Sequence, residues 1–246
     1  MGAVNMNKKV IVTGASRGIG RALAFELANR GYDLFLIARR SGEALAEIKR
    51  EIKESYGTAC ETALCDVGDP KEVWSVLSGA VKDGIYGLVN NAGIASYSLV
   101  TDLEEKEWQR IMEVDLNSCF YTAKAVIPEM VRAREGRIIN VSSVWGNVGA
   151  SMEVAYSTAK GGVNAFTKAL AKELGPSNIK VNAVSFGLIR TQMNDHLSSE
   201  ELKALTEEIP MDRMGEPEEA AKMIADVLEA PDYLTGQVIT MDGGWI

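Results

Sequence analysis

The sequence predicts an α/β fold, a single domain over residues 1–246 built as a doubly wound parallel sheet with helices on both faces. Two observations predict it. Short aliphatic runs such as Val10-Ile11-Val12 alternate with longer amphipathic segments along the chain, and that alternation makes βαβ units with right-handed crossovers. No linker, repeat or low-complexity stretch interrupts the alternation, so 246 residues read as one domain with a sizeable core.

Composition narrows the class. Hydrophobic residues at 46% and charged residues at 24% are those of an ordinary globular protein. The 26 Lys+Arg against 34 Asp+Glu leave a net charge of −8, which argues against nonspecific nucleic-acid binding and gives no reason for an anionic membrane surface. No apolar run approaches the ~18 residues of a membrane span and no signal-peptide core opens the chain, so a cytoplasmic protein is expected. Cys60, Cys65 and Cys119 lack CxxC spacing and His196 is the sole histidine. Buried, reduced thiols are therefore expected, with no metal site and no disulfide framework. Residues 1–5 read as a dispensable extension, with Met6 as an alternative start.

In order, residues 8–13 form the first strand and deliver Gly14-Ala15-Ser16-Arg17-Gly18-Ile19-Gly20. Ile19, Leu23 and Leu27 then recur at helical spacing until Gly31. Strand, glycine turn and helix aim backbone N–H groups and a helix N-terminus at a phosphate, as in a dinucleotide site. A second strand, 34–38, ends in Arg39-Arg40. An acidic residue at this strand end suits the ribose hydroxyls of NAD, whereas arginine suits the 2′-phosphate of NADP. Arg17 adds a cation nearby, so NADP(H) is the expected cofactor.

A polar helix over 41–56, a strand over 58–65 ending in Asp66-Val67, a helix over 70–82 and a strand over 87–90 ending in Asn91-Ala92-Gly93 continue the alternation. One long helix is expected over 105–132. Its apolar residues, among them Trp108, Leu116, Phe120 and Met130, occupy more than one face, as at a subunit interface. A strand over 137–141 delivers Ser142 and Ser143, which alternation sends to opposite faces. A helix from 154 carries Ala159, Val163, Leu170 and Leu174 inward. A strand over 180–185 ends in Phe186-Gly187. Residues 191–211 are polar, hold a Ser198-x-x-Glu201 capping box and read as a mobile substrate flap. A helix over 216–229 and a strand over 237–241 finish the chain.

Tyr156 and Lys160, four apart, stack on one helix face. A phenol ionises near 10, and bringing it to neutrality takes ~3 units or ~4 kcal/mol. One ammonium at ~4 Å in an effective dielectric of ~20 supplies about that. The pair can serve as a tuned acid/base, although the bare spacing also suits a surface tyrosine. Its weight comes from the pieces that precede it.

With Thr13-Gly-x-x-x-Gly-Ile-Gly20, Asp66-Val67, Asn90-Asn-Ala-Gly93, Ser143, Tyr156-x-x-x-Lys160 and Met241-Asp-Gly-Gly244 in this order, the chain resembles the short-chain dehydrogenase/reductase family, a Rossmann-type fold, over nearly its whole length. Within it the chain looks most like the 3-oxoacyl-[acyl-carrier-protein] reductases. The resemblance implies that Tyr156 protonates the carbonyl oxygen, Ser143 hydrogen-bonds it, and Lys160 binds the nicotinamide ribose and favours the ionised phenol. It implies Gly14, Ser16, Arg17, Gly18, Ile19 and Gly20 around the pyrophosphate, Asp66 and Val67 at the adenine, Asn91 at its ribose beside Ala92 and Gly93, and Gly187, Ile189 and Thr191 at the carboxamide. It also implies reduction of a 3-oxoacyl thioester, a homotetramer and acyl carrier protein as partner.

Three positions depart from the family pattern. Asp115 stands where Asn usually helps hold a water beside the lysine, and its side chain is counted here with the catalytic group. Phe186 replaces the usual proline. Of two carrier-docking arginines, Arg134 matches one and Ser177 stands at the other, leaving Arg132, Arg134 and Arg137 to form a basic patch or a solvated turn. Trp145, Met152, Phe186, Met193 and Leu197 are expected to make an apolar substrate wall. Two other readings stay open: an NADP-linked reductase of another neutral carbonyl (steroid, sugar or xenobiotic ketone), and a nucleotide sensor with impaired catalysis.

Overall fold

Strands Lys9–Thr13 (β1), Asp33–Ala38 (β2), Cys60–Leu64 (β3), Gly87–Asn90 (β4), Gly136–Ser143 (β5), Ile179–Phe186 (β6) and Val238–Met241 (β7) form one parallel sheet in the computed structural model, in the order β3-β2-β1-β4-β5-β6-β7. The structure describes residues 8–82 and 84–246, so the extension at residues 1–5 and the start at Met6 lie outside it. β5 and β6 are buried along their full length, as central strands covered on both faces must be.

The covering helices are Gly18–Asn29 (α1), Gly42–Ser55 (α2), Pro70–Ala80 (α3), Glu105–Ile111 (α4), Ser118–Ala133 (α5), Trp145–Val148 (α6), Val154–Leu174 (α7), Ser199–Glu207 (α8) and Pro217–Leu228 (α9). Strand alternation divides β1 between two cores. Val10 and Val12 pack with Leu23, Leu45, Ile48 and Ile224 of α1, α2 and α9. Ile11 packs on the other face with Leu77, Val126 and Leu170 of α3, α5 and α7. Burying each such side chain contributes ~1.5–3 kcal/mol.

The chain winds outward from β1 to β3 and then returns to β4 on the other side of β1. At that reversal the loops leaving β1 and β4 part in opposite directions, which opens a crevice at the C-terminal strand ends. The glycine turn, Arg39, Asp66, Asn91, Ser143 and Gly187 all follow C-terminal strand ends on this side.

The helix expected over 105–132 is interrupted. α4 stops at Ile111, Met112–Asn117 form a π-helical turn, and α5 resumes at Ser118. A π turn inserts an extra residue into the helical register, which a scan at 3.6 residues per turn conceals. On α5, Cys119, Ala123, Val126 and Met130 are buried, while Phe120 (49%) and Val131 (40%) stay exposed.

Candidate active site

Thr13 closes β1 with a hydroxyl that accepts the backbone N–H of both Asn91 and Ala92 at 3.0 Å. The Asn91 amide donates in turn to the carbonyls of Thr13 (3.0 Å) and Gly14 (3.2 Å). The Asn91 amide thereby braces the glycine turn with both donors of its NH₂ group while the residue lines the same cleft. A Cβ at Gly20 would lie 2.2 Å from Gly14 O, and Gly18 combines φ +52° with Thr191 Cγ2 at 3.2 Å from a built Cβ. Backbone therefore approaches backbone at the helix start with no side chain between.

Ser16, Arg17, Gly18, Ile19, Arg39, Arg40, Asp66 and Val67 line one end of a cleft of about 1350 Å³. Among the described residues none of these three arginines forms an ion pair. Asp66 does, its two oxygens meeting Arg110 Nη2 at 2.8 and 2.6 Å while Oδ1 also accepts the Gly68 N–H at 3.0 Å. Burial pushes the Asp66 carboxyl up, but Arg110 and the Gly68 N–H hold it below the usual carboxylate range. Arg110 lies on α4, and no sequence motif marks it.

Ser143 is the last residue of β5, and its Oγ accepts the Trp145 N–H at 3.2 Å. Ser142 turns the other way, donating to Asn164 Oδ1 at 2.6 Å. Tyr156 and Lys160 share the inner face of α7 at 8% and 4% exposure, so Tyr156 is no surface tyrosine. Lys160 Nζ sits 5.5 Å from the phenol ring centre and donates to Val141 O at 3.1 Å. Gly146 of α6 fits against α7 because a Cβ there would lie 2.7 Å from the Lys160 carbonyl carbon.

Asp115 comes from the π turn and is wholly enclosed. Its Oδ1 accepts the Ile94 N–H at 2.9 Å. Oδ2 lies 3.2 Å from Lys160 Nζ, an ion pair closed off from water. Gly93 borders the pair, where a Cβ would stand 2.8 Å from Oδ2.

This pair changes the electrostatics expected from Tyr156 and Lys160 alone. Desolvation lowers the Lys160 ammonium, but Asp115, then Tyr156 and Cys119, move it well above its ordinary value. Burial moves the Asp115 carboxyl up while Lys160 and the Ile94 N–H pull it down. An ammonium at 3.2 Å and an N–H at 2.9 Å favour the carboxylate against burial. Tyr156 is raised rather than lowered: burial is the largest cause, Lys160 and the Ser143 hydroxyl oppose it, and Asp115 reinforces it. Burial foremost, with Asp115 opposing part of the field of the lysine, thus keeps the phenol protonated at neutral pH.

At the far end of the cleft lie Trp145, Phe186, Gly187, Ile189, Met193 and Leu197. Met152 is absent from that wall, because at φ +65° it turns aside in a loop where its carbonyl accepts the Ser98 N–H at 2.8 Å. Trp145 meets Trp245 edge-on at 4.9 Å, and Tyr97 faces His196 at 5.7 Å. The flap region holds α8, with both bonds of the Ser198–Glu201 capping box in place. Arg137 leaves the expected basic patch. It is 8% exposed and bonded to Asp232 at 2.7 Å, because it lies on the strand β5, as its sequence position predicts, where neighbouring strands cover it.

All three cysteines are buried and free. Among the described residues no cluster of three metal-ligating side chains occurs. No helix of the described residues is long and apolar enough to cross a membrane.

A family model described as short chain dehydrogenase matches residues 8–202. The chain is 39% identical over 241 residues to the 3-oxoacyl-[acyl-carrier-protein] reductase FabG of Aquifex aeolicus, covering 96% of each protein. It is 38% identical over 247 residues to the reductase of the same name from Vibrio cholerae, covering 98% of each. It is 36% identical over 241 residues to the uncharacterized oxidoreductase YmfI of Bacillus subtilis, covering 98% of this chain and 99% of that one.

Proposed function

The chain belongs to the short chain dehydrogenase family, and from that premise we propose that it is an NADPH-dependent reductase of a 3-oxoacyl thioester carried on acyl carrier protein. The observation that carries the reading is the convergence of Ser143, Tyr156 and Lys160 at the end of β5, between the glycine cradle and the aromatic end of one cleft.

The residues present fit a dinucleotide. Gly14, Gly18 and Gly20 let the turn close tightly on itself, on Ala92 and on Thr191, where a Cβ would clash, and such a strand–turn–helix start presents backbone N–H groups to a pyrophosphate. Arg17 and Arg39, which form no ion pair among the described residues, fit a 2′-phosphate, with Asp66 and Val67 beside the adenine and Ala92, Gly93, Gly187, Ile189 and Thr191 toward the nicotinamide. The cofactor, when bound, supplies a hydride. The protein supplies the rest. Tyr156, held protonated by burial and Asp115, gives its proton to the carbonyl oxygen. Ser143 donates a hydrogen bond to the same oxygen and stabilises the charge that develops on it. Lys160, fixed by Val141 O and Asp115, binds the ribose hydroxyls and keeps a positive charge behind the phenol.

Residues 191–211 act as the flap, and the whole chain works as one cytoplasmic domain. The exposed Phe120 and Val131 on α5, with Val154 on α7, support pairing of these helices between copies in a homotetramer. The test is NADPH oxidation across acetoacetyl thioesters, steroid ketones, sugars and diketones. A preferred thioester, improved by carrier linkage, supports the reading. Preference for another ketone selects a second one, reduction of a different neutral carbonyl. Two observations favour that alternative: Arg137 is withdrawn into the core, and Ser177 occupies the other docking position.

A further inference from the structure

Glu153 precedes α7 as its N-cap residue, three positions before Tyr156, yet its side chain makes no capping hydrogen bond. An acidic side chain at this position normally accepts the orphan N–H groups of the first turn. This one lines the cleft instead, half-buried, and among the described residues it forms no ion pair. Its neighbours are the Trp145 indole N–H and the imidazole of His196. A half-buried carboxylate that lines the cleft beside the proton donor, with no ion pair among the described residues, is placed to meet a ligand.

The other charges of the cleft are paired, exposed or at its opposite end. Asp66 is held by Arg110, Glu201 accepts the Ser198 N–H at 2.8 Å within a helix cap, and Glu107 is exposed. Arg17, Arg39 and Arg40 lie at the glycine-turn end, and Lys160 is paired with Asp115. The substrate end thus offers one carboxylate that forms no ion pair among the described residues, beside the Trp145 indole and the His196 imidazole and set in an aromatic collar of Tyr97, Trp145, His196 and Trp245.

We propose that Glu153 is a specificity-determining residue that accepts a hydrogen bond from a donor group on the substrate, an amide N–H or a hydroxyl outside the reacting carbonyl, and that it disfavours substrates carrying a carboxylate. The proposal rests on the reductase reading above and names the substrate chemistry of that same site. An amide N–H is what the arm of a carrier thioester presents, and a hydroxyl is what a sugar or hydroxyketone presents. Acceptor geometry is common to both, while like charge repels an acid.

The experiment compares kcat/KM of the wild type, Glu153→Gln and Glu153→Leu on four probes. These are the acetoacetyl thioester of N-acetylcysteamine (amide donor), 4-hydroxy-2-butanone (hydroxyl donor), ethyl acetoacetate (no donor) and acetoacetate (anion). Melting temperature and NADPH affinity report folding and cofactor binding separately. In Glu153→Leu the preference for a donor-bearing probe over ethyl acetoacetate falls about tenfold, mostly through KM, and the preference against acetoacetate relaxes by a similar factor. Glu153→Gln keeps the donor preference, because its amide oxygen still accepts, and loses the discrimination against the anion. Whichever donor probe suffers the larger loss identifies the source of the N–H or O–H. Equal losses on all four probes, or unchanged ratios in Glu153→Leu, overturn the proposal while leaving the reductase reading intact. A wild type that binds NADPH but reduces none of the four overturns both.

Discussion

Replacing Asp115 by asparagine tests how this site sets the protonation of Tyr156. The 3.2 Å from Oδ2 to Lys160 Nζ and the 5.5 Å from Nζ to the ring centre place Oδ2 within ~8.7 Å of that centre, the sum of the two. At an effective dielectric of ~20, one charge at ~8.7 Å acts on another with about 1.9 kcal/mol. Asparagine is the same size and keeps an oxygen for the Ile94 N–H, but it removes the negative charge and turns a donor toward the ammonium. The phenol then ionises at lower pH, and the pH limb of alcohol oxidation, in which Tyr156 must accept a proton, moves down with it. Reduction at neutral pH, which uses the protonated phenol, stays within about tenfold, or ~1.4 kcal/mol. The assay is the pH dependence of kcat/KM in both directions for wild type and Asp115→Asn, with melting temperature as control. An unmoved oxidation profile would refute the electrostatic argument. A hundredfold gain in reduction would show the wild-type aspartate to be a lesion and would favour the nucleotide-sensor reading.

Tyr156→Phe removes only the proton donor, so turnover falls ~10²–10⁴-fold while NADPH binding, followed by fluorescence titration, persists; retention of a third of the rate would assign the proton to another group. Arg39→Asp weakens NADPH binding by ~10–150-fold, the ~1.5–3 kcal/mol of a charge-assisted contact, and leaves NADH binding unchanged or better; equal wild-type affinity for the two would refute the 2′-phosphate assignment. Burial raises the Cys65 thiol from 9.0 to about 12 and those of Cys60 and Cys119 from 9.0 to about 11. These folded-state values lie above the unfolded one, so the thiols contribute stability fully below about 9, and it is lost as pH rises toward 11 and 12. Urea midpoints should decline across that window, less steeply in Cys65→Ala, and should be flat there if the thiols are accessible. Sedimentation at micromolar concentration should show a tetramer or dimer that Phe120→Lys weakens; a fully active wild-type monomer would remove the interface role of α5.

The course of the sheet was legible in the sequence, because strands and helices differ in apolar period, and because glycine at 14, 18 and 20 answers a local backbone need that no other residue meets. Ser143, Tyr156 and Lys160 were legible for a related reason. Their spacing on one strand end and one helix face is set by local geometry, and the neighbouring motifs resemble a known pattern. The partnerships were not legible. Asp66 meets Arg110 across 44 positions and Ile94 meets Asp115 across 21, and no local period encodes such contacts. The π turn at Met112–Asn117 escaped for the same reason: packing of α7 on the turn, with Gly162 close against Leu116, is visible only when both helices are in place. Burial decided the rest. The sequence by itself determined that a phenol and an ammonium share a helix face, which isolates an attraction that lowers the phenol. Only the tertiary structure set both in a dry interior with Asp115 behind the lysine, where desolvation and a second charge outweigh that attraction and reverse its sign.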